Sequence, residues 1–450
     1  MNEVERTDVS LPSTSFGVVE LRAPSGMSQR LLDWQDGTCV VSWTSGSGSS
    51  TAADEADSGS IYVGLGVAEV LRATGEGRFV TLQNLLEMFR IKHPELHVFS
   101  KSLRFFGGAS FAVGPDGAGE WSEFGDAQFV LPRVLYVDGP DRARLLAVSP
   151  PGQDRETRDL LRAVERLFVA APLPAGPALD RLDEQTSIGE ADWERLLDRI
   201  QQAIDRGELE KVVAARRLTL RLSGQPRLSE VLGRLERSEP RSARFALRLG
   251  KRTFLGATPE RLVRKLGRSV RTEALAGSIS AELPDGATRL LKSAKDLAEH
   301  RVVVDALSRV LEPLCSNLSI PAEPEIRALR RILHLRTPLS GTLHTPGHVL
   351  DLVARLHPTP AVGGYPRESA LGFIAKHEPV PRGWYAAPFG WVDLQGDGEF
   401  VVALRSALLE GQQAHIFAGA GIVQGSVARD EYAETELKMN SMLSALGLSS

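Results

Sequence analysis

Tyr385-Ala-Ala-Pro-Phe-Gly-Trp-Val-Asp393, Phe400-Val-Val-Ala-Leu-Arg-Ser-Ala-Leu-Leu409 and Ala414-His-Ile-Phe417 are three apolar runs set close together near the C-terminus. They are joined by Gln395-Gly-Asp-Gly and Glu410-Gly-Gln-Gln. Links this short leave no room for a crossover helix, so the runs are expected to pair as an antiparallel meander. Runs of strands with helices packed against them describe an α+β protein rather than alternating βαβ units.

Downstream, Phe417-Ala-Gly-Ala-Gly-Ile-Val423 leads into a helix-like segment carrying Glu431, Glu434 and Lys438. Upstream, Ala287 to Leu311 has the spacing of one long helix, and Asp296 and Glu299 fall on one face of it. Ala191 to Arg206 is an amphipathic helix with Trp193, Leu196, Leu197, Ile200 and Ile204 on its apolar side, and Gly207 stops it. Leu209 to Leu220 then alternates as a strand, which places Lys211 at its start.

The N-terminal part is read more coarsely. Ile61 to Val67 has the composition of a buried strand, and Thr81 to Ile91 that of a helix behind a Thr N-cap. Arg104 to Phe111 and Gln128 to Tyr136 read as neighbouring strands. Ser45 to Ser60 is Ser, Gly, Ala and acid, the make-up of a mobile loop. Three prolines between Ala171 and Asp183 mark either a boundary or a crossover within one fold.

Composition narrows the function classes. A 450-residue chain with 42% hydrophobic and 24% charged residues can bury a large core. Its net charge of −4, with both signs mixed, leaves no basic stripe for nucleic acid. Cys39 and Cys315 stand far apart without metal spacing and read as free thiols in a reducing cytoplasm. No apolar run approaches the roughly 18 to 20 residues of a membrane span, and the acidic N-terminus lacks the core of a signal peptide.

Four acids form two helical pairs, Asp296/Glu299 and Glu431/Glu434. If the helices face each other, their oxygens converge on a hard cation, with Mg²⁺ favoured over Ca²⁺; otherwise the pairs are solvated helix faces. Gly419-Ala-Gly421 lacks the spacing and the βαβ setting of a dinucleotide site, but as a tight turn ahead of a helix it can offer N–H groups to a carboxylate. Lys211, in Leu209-Glu-Lys-Val-Val-Ala-Ala215, is either a solvated edge residue or a desolvated amine able to act as a base. Glu260, in Gly256-Ala-Thr-Pro-Glu-Arg-Leu262, either caps a turn or is a carboxyl kept protonated by an apolar pocket, able to act as an acid. Zinc-hydrolase, Walker A and nucleophile-elbow patterns do not occur in the chain.

Taken in order, these pieces resemble the chorismate-utilising enzymes, and within them the isochorismate synthases. The matching stretches include Glu210-Lys-Val-Val-Ala-Ala-Arg216, Thr258-Pro-Glu-Arg-Leu262, Glu273-Ala-Leu-Ala-Gly-Ser278, Lys295-Asp-Leu-Ala-Glu-His300 and Leu356-His-Pro-Thr-Pro-Ala361. Further matches are Gly363-Gly-Tyr-Pro366, Arg382-Gly-Trp-Tyr385, Ala403-Leu-Arg405, Ala418-Gly-Ala-Gly-Ile422 and Glu434-Thr-Glu-Leu-Lys438. The resemblance implies one large α+β domain of two mainly antiparallel sheets packed face to face, with helices outside. Residues 1–185 would form its N-terminal part and 186–450 the chorismate-binding catalytic region.

Carried over by position, the resemblance makes Lys211 the base that activates a water and Glu260 the acid that protonates the departing hydroxyl. Glu299 and Glu434 become the principal Mg²⁺ ligands, with Asp296 and Glu431 behind them; the family often has Glu in place of Asp296, and the shorter acid implies a water-mediated role. Arg405, Tyr385, Lys438 and the backbone at Gly419 and Gly421 would grip the substrate carboxylates. Gly277 and Ser278 would line the ring, with His334 as a further pocket residue. A neutral lysine and a protonated glutamic acid would then have to coexist near neutral pH.

Within the family, relatives that aminate the ring or expel pyruvate usually carry Thr at the position of Ala361, and anthranilate-type enzymes usually carry Gln at that of Lys211. A nucleophilic lysine found in some aminodeoxychorismate synthases would stand at Ala276. The chain therefore matches a Mg²⁺-dependent isochorismate synthase, a cytoplasmic monomer without an amidotransferase subunit, serving quinone or siderophore synthesis. The alternatives are a salicylate synthase and a non-catalytic carboxylate-binding module; a pure binder would have no use for Lys211 and Glu260 together.

Overall fold

The computed structural model describes residues 15–34, 39–46, 59–114, 119–171 and 173–448. Most of the loop expected between Ser45 and Ser60 lies outside these residues. Two antiparallel sheets organise the chain. The first runs in the order Gly17–Ala23, Ala143–Ser149, Val134–Asp138, Ile61–Leu65, Val40–Thr44, Ala243–Leu249, Arg252–Thr258, Ser406–Glu410, Gln413–Ile422, Lys211–Leu222 and Gly364–Tyr365. Arg181–Thr186 also pairs with Lys211–Leu222, so the proline-rich stretch before it feeds directly into this sheet. The second sheet runs Cys315–Ser319, Ile332–Leu343, Ser269–Ser280, Arg261–Leu266, Gly398–Val402, Pro388–Asp393, Arg104–Ala109, Ala127–Leu131 and Glu69–Ala73.

Aromatic side chains join the two sheets. Phe389 of the second stacks on Phe245 and Trp43 of the first, with ring centroids 4.6 and 6.2 Å apart. The Leu228–Ser238 and Ala428–Leu446 helices cover the first sheet with Val231, Leu235, Met442 and Leu446, all in one apolar cluster with Leu220 and Ile416. Fully burying side chains of this size contributes roughly 1.5–3 kcal/mol each before conformational entropy is subtracted.

The meander read near the C-terminus is two hairpins in different sheets. Pro388–Asp393 and Gly398–Val402 pair in the second sheet, Ser406–Glu410 and Gln413–Ile422 in the first. Phe400 to Leu409 is thus two strands, and the chain changes sheets at Ala403-Leu-Arg405, where Arg405 takes φ +46°. Gln128 to Tyr136 divides in the same way at Pro132-Arg133. A third change occurs at Pro259-Glu260, between Arg252–Thr258 and Arg261–Leu266. The first and third of these crossovers are bonded to each other: Val402 N donates to Glu260 O (3.0 Å), Ala257 N to Arg405 O (3.2 Å), and Thr258 Oγ1 to Val402 O (2.6 Å). Glu260 and Arg405 therefore share one seam between the sheets.

The helix expected over Ala287 to Leu311 is two, Gly286–Lys292 and Ala294–Leu311. Ser293, with ψ 109°, ends the first and caps the second, its hydroxyl accepting from Asp296 N. The helix beginning near Thr81 starts earlier, at Arg78. Glu190–Asp205 buries Trp193, Leu196, Leu197 and Ile200, and Gly207 follows it at φ +71° as the left-handed stop.

Candidate functional site

Lys211 is the first residue of its strand, paired in register with Tyr365, and only 1% exposed. It is not an edge residue. Its Nζ donates to Glu299 Oε1 at 2.7 Å. Gly421 makes room for this pair: a Cβ there would lie 2.5 Å from Glu299 Oε1 and 2.9 Å from Lys211 Cε. The Gly419–Gly421 segment is accordingly strand, not a turn ahead of a helix; it pairs with Val213 to Ala215, and the turn comes later, before Ala428. Small residues are needed here because side chains from a neighbouring strand and helix cross this end of the sheet.

Glu299 opens onto a cavity of about 270 Å³ at the seam. Asp296, Glu431, Glu434, Glu260, Arg405, Tyr385, His334, Gly277, Ser278, Ala361, Gly419, Gly421 and Lys438 also line it. Every residue singled out for chemistry except Lys211 thus borders one space, and Lys211 stands directly behind Glu299 and Gly421. Lys295 and Asp430 line it too, without having been assigned a role from sequence.

The acids come from the N-terminal turns of Ala294–Leu311 and Ala428–Leu446, where the helix dipole favours negative charge. Burial, and then neighbouring carboxylates, push Glu431 above its ordinary range. Burial also raises Asp296, opposed by the Ser293 hydroxyl and reinforced by Glu299. Three of the four carboxylates face a lysine Nζ: Glu299 that of Lys211 at 2.7 Å, Glu434 that of Lys438 at 2.7 Å, and Glu431 that of Lys295 at 3.1 Å. Asp296 accepts instead from the Ser293 hydroxyl. Among the described residues no three of His, Cys, Asp and Glu are drawn together tightly enough to clasp a metal as they stand. The donor chemistry nonetheless fits a hard divalent cation, because all four groups are oxygen acids crowded by like charge.

Glu260, which also lines the cavity, is 4% exposed. Burial and the nearby Glu273 carboxylate push its pKa from 4.5 up to about 8, against the pull of Lys211 and Lys438. This carboxyl is therefore protonated near neutrality. Glu273 itself stays ionised, because Arg336 and Arg261 more than offset its burial; it accepts from Arg336 Nε and from the backbone N of Arg261.

Arg405 is 8% exposed and, among the described residues, makes no ion pair. Its guanidinium donates to His334 Nε2 at 3.3 Å, and burial lowers its basicity. Burial and the same guanidinium hold His334 well below its ordinary pKa, so the ring is neutral, accepts at Nε2 and offers Nδ1–H to Ser278 Oγ at 2.9 Å. Ser278 faces His334 because the strand bulges at Gly277, which has φ +77° and whose Cβ would meet that of Asp296 at 3.1 Å. Tyr385 stacks on Phe417 with centroids 5.2 Å apart, and burial raises its phenol. Lys438 also donates to Gly419 O at 2.8 Å.

The family model for chorismate binding enzymes matches residues 38–447. A salicylate biosynthesis isochorismate synthase of Pseudomonas aeruginosa is 37% identical over 394 residues, covering 85% of this chain and 82% of the relative. Isochorismate synthase MenF of Bacillus subtilis is 33% identical over 404 residues, covering 86% and 85%. Among solved structures, the menaquinone-specific isochorismate synthase MenF from Escherichia coli superposes with a TM-score of 0.80 at 26% identity, covering 99% of this chain and 96% of that one.

Proposed function

The chain belongs to the chorismate-binding enzymes, and on that premise we propose that it is an isochorismate synthase, an isomerase that moves the ring hydroxyl of chorismate. The observation that carries the reading is the meeting in one cavity of a buried, protonated carboxyl, Glu260, and a buried guanidinium, Arg405, that makes no ion pair among the described residues. A buried charge is costly without a close counter-charge, and Glu239 and Glu434 stabilise this one without forming an ion pair, so Arg405 favours an anionic ligand. Chorismate brings two carboxylates, and we assign them to Arg405, Lys438 and the Tyr385 hydroxyl. His334 orients the guanidinium, Gly277 and Ser278 border the ring, and Gly419 and Gly421 leave it space.

In the reaction we propose, Lys211 takes a proton from a water as its oxygen bonds to the ring carbon next to the one bearing the carboxylate. The double bonds shift along the ring, the carbon–hydroxyl bond breaks, and the departing hydroxyl takes the proton of Glu260 and leaves as water. Substrate and product are isomers, and the two side chains end with exchanged protonation. The cofactor we assign is Mg²⁺, held by Glu299 and Glu434 with Asp296 and Glu431 behind them, which when bound would neutralise the crowded acids and the ring carboxylate. Two buried free cysteines support a cytoplasmic setting.

Stripping the purified chain with a chelator and adding Mg²⁺ back tests this reading. Turnover of chorismate should vanish and return with the metal. Turnover indifferent to the chelator contradicts the metal assignment, and no turnover under either condition contradicts the activity.

A further inference from the structure

We propose that Lys295 is an internal competitor for the cation, an ammonium that holds Glu431 in the metal-free chain and must release it when a divalent ion binds. The inference rests on the metal reading above. Three lysines from three different elements hold Glu299, Glu431 and Glu434, so a cation meets acids that already have partners and does not fill a bare acidic pocket. Lys211 and Lys438 have assigned work in the reaction. Lys295 has none.

Two features set it apart. Its side chain is 46% exposed while the carboxylate it holds is 6% exposed, so the amine covers Glu431 from the solvent side and can swing away at little cost. It is also the second residue of Ala294–Leu311, at the positive end of the helix dipole, where a cation is unfavourable. Helix stability does not account for a lysine there; the charge on the facing helix does. The pair spans the two acidic helices, linking residues 136 positions apart at the place where their acids meet.

The test is calorimetric titration of MgCl₂ into the full-length, chelator-stripped chain without substrate. Lys295→Met, which keeps the stem and removes the charge, should tighten Mg²⁺ binding about two- to fivefold, the range of a partly exposed ion pair. Lys295→Arg should bind as the wild type does. Lys292→Met, which removes a charge nearby on the preceding helix, should leave affinity unchanged; equal tightening there would assign the effect to the general field and overturn the proposal. Affinity unchanged or weaker in Lys295→Met and Lys295→Gln, with circular dichroism and Tm intact, would also overturn it. A wild-type chain that takes no Mg²⁺ at all removes the metal reading itself, a different result from unaltered binding in the variants.

Discussion

Lys211 Nζ donates to Glu299 Oε1 across 2.7 Å, joining a strand start to a helix turn 88 positions further along the chain. The proposed base and a proposed metal ligand therefore share one contact. Glu299 is 12% exposed and borders the cavity, whereas Lys211 is enclosed behind it, so access to the amine is governed by where this carboxylate turns.

Replacing Lys211 by Ala should lower kcat by about 10²–10⁴-fold, the range for loss of a general base. Mg²⁺-dependent binding of chorismate, followed by calorimetry, should stay within a few-fold of wild type. Near-normal turnover would remove Lys211 from the mechanism.

Gly421→Ala probes the same contact without replacing either partner. The added Cβ would press on Glu299 Oε1 and Lys211 Cε, and displacements on the order of 1 Å at a reacting group cost about 10²-fold. A folded variant with slowed turnover is expected. Unimpaired turnover would mean that the Lys211–Glu299 geometry does not set the rate.

Glu260 has a pH signature in both activity and stability. The kcat/KM profile should fall on its basic side with a midpoint near the carboxyl's value of about 8. In stability, the raised pKa means that the folded chain keeps a proton which the unfolded chain releases above 4.5. That contribution is complete below 4.5 and is lost as pH rises through about 8. Glu260→Gln lacks it, so the stability of the variant relative to wild type should grow across this window and level off above it. Urea unfolding at a series of pH values checks this, and a flat difference would contradict the protonated state.

Arg405→Gln should separate binding from folding. With no ion pair to lose among the described residues, the variant should unfold at the wild-type temperature or above it, while KM for chorismate rises about 10- to 100-fold, as expected for a charge-assisted hydrogen bond worth ~1.5–3 kcal/mol. Lower stability with an unchanged KM would make the guanidinium structural.

Ala361 lines the cavity, where Thr would add a hydroxyl. Ala361→Thr should raise pyruvate formation, measured with coupled lactate dehydrogenase. If pyruvate stays at the wild-type level, this position is not what separates hydroxyl exchange from elimination.

Much of this was legible in the sequence where the signal is local. The periodicity around Trp193 gave the helix ahead of Lys211, and the short Gly-containing links gave the antiparallel turn at each end of the expected meander, which the structure divides into two hairpins in different sheets. The sheet changes at Pro259-Glu260 and Ala403–Arg405 were not legible, because apolar alternation continues on both sides and Arg405 turns the chain through a positive φ without a glycine to announce it. Ser293 did carry a sign, a Ser three residues before Asp296, but the helical spacing around it masks the break. The counter-ions are the least legible part: the partners of Lys211 and Lys295 are set by tertiary packing, and only Glu434–Lys438, four apart on one helix, could be read directly.

The most direct measurement is chromatographic resolution of the products after the purified chain is incubated with chorismate and Mg²⁺. Isochorismate in equilibrium with chorismate, without salicylate or pyruvate, is the predicted result. Salicylate appearing with pyruvate, or chorismate left unchanged, would contradict the account.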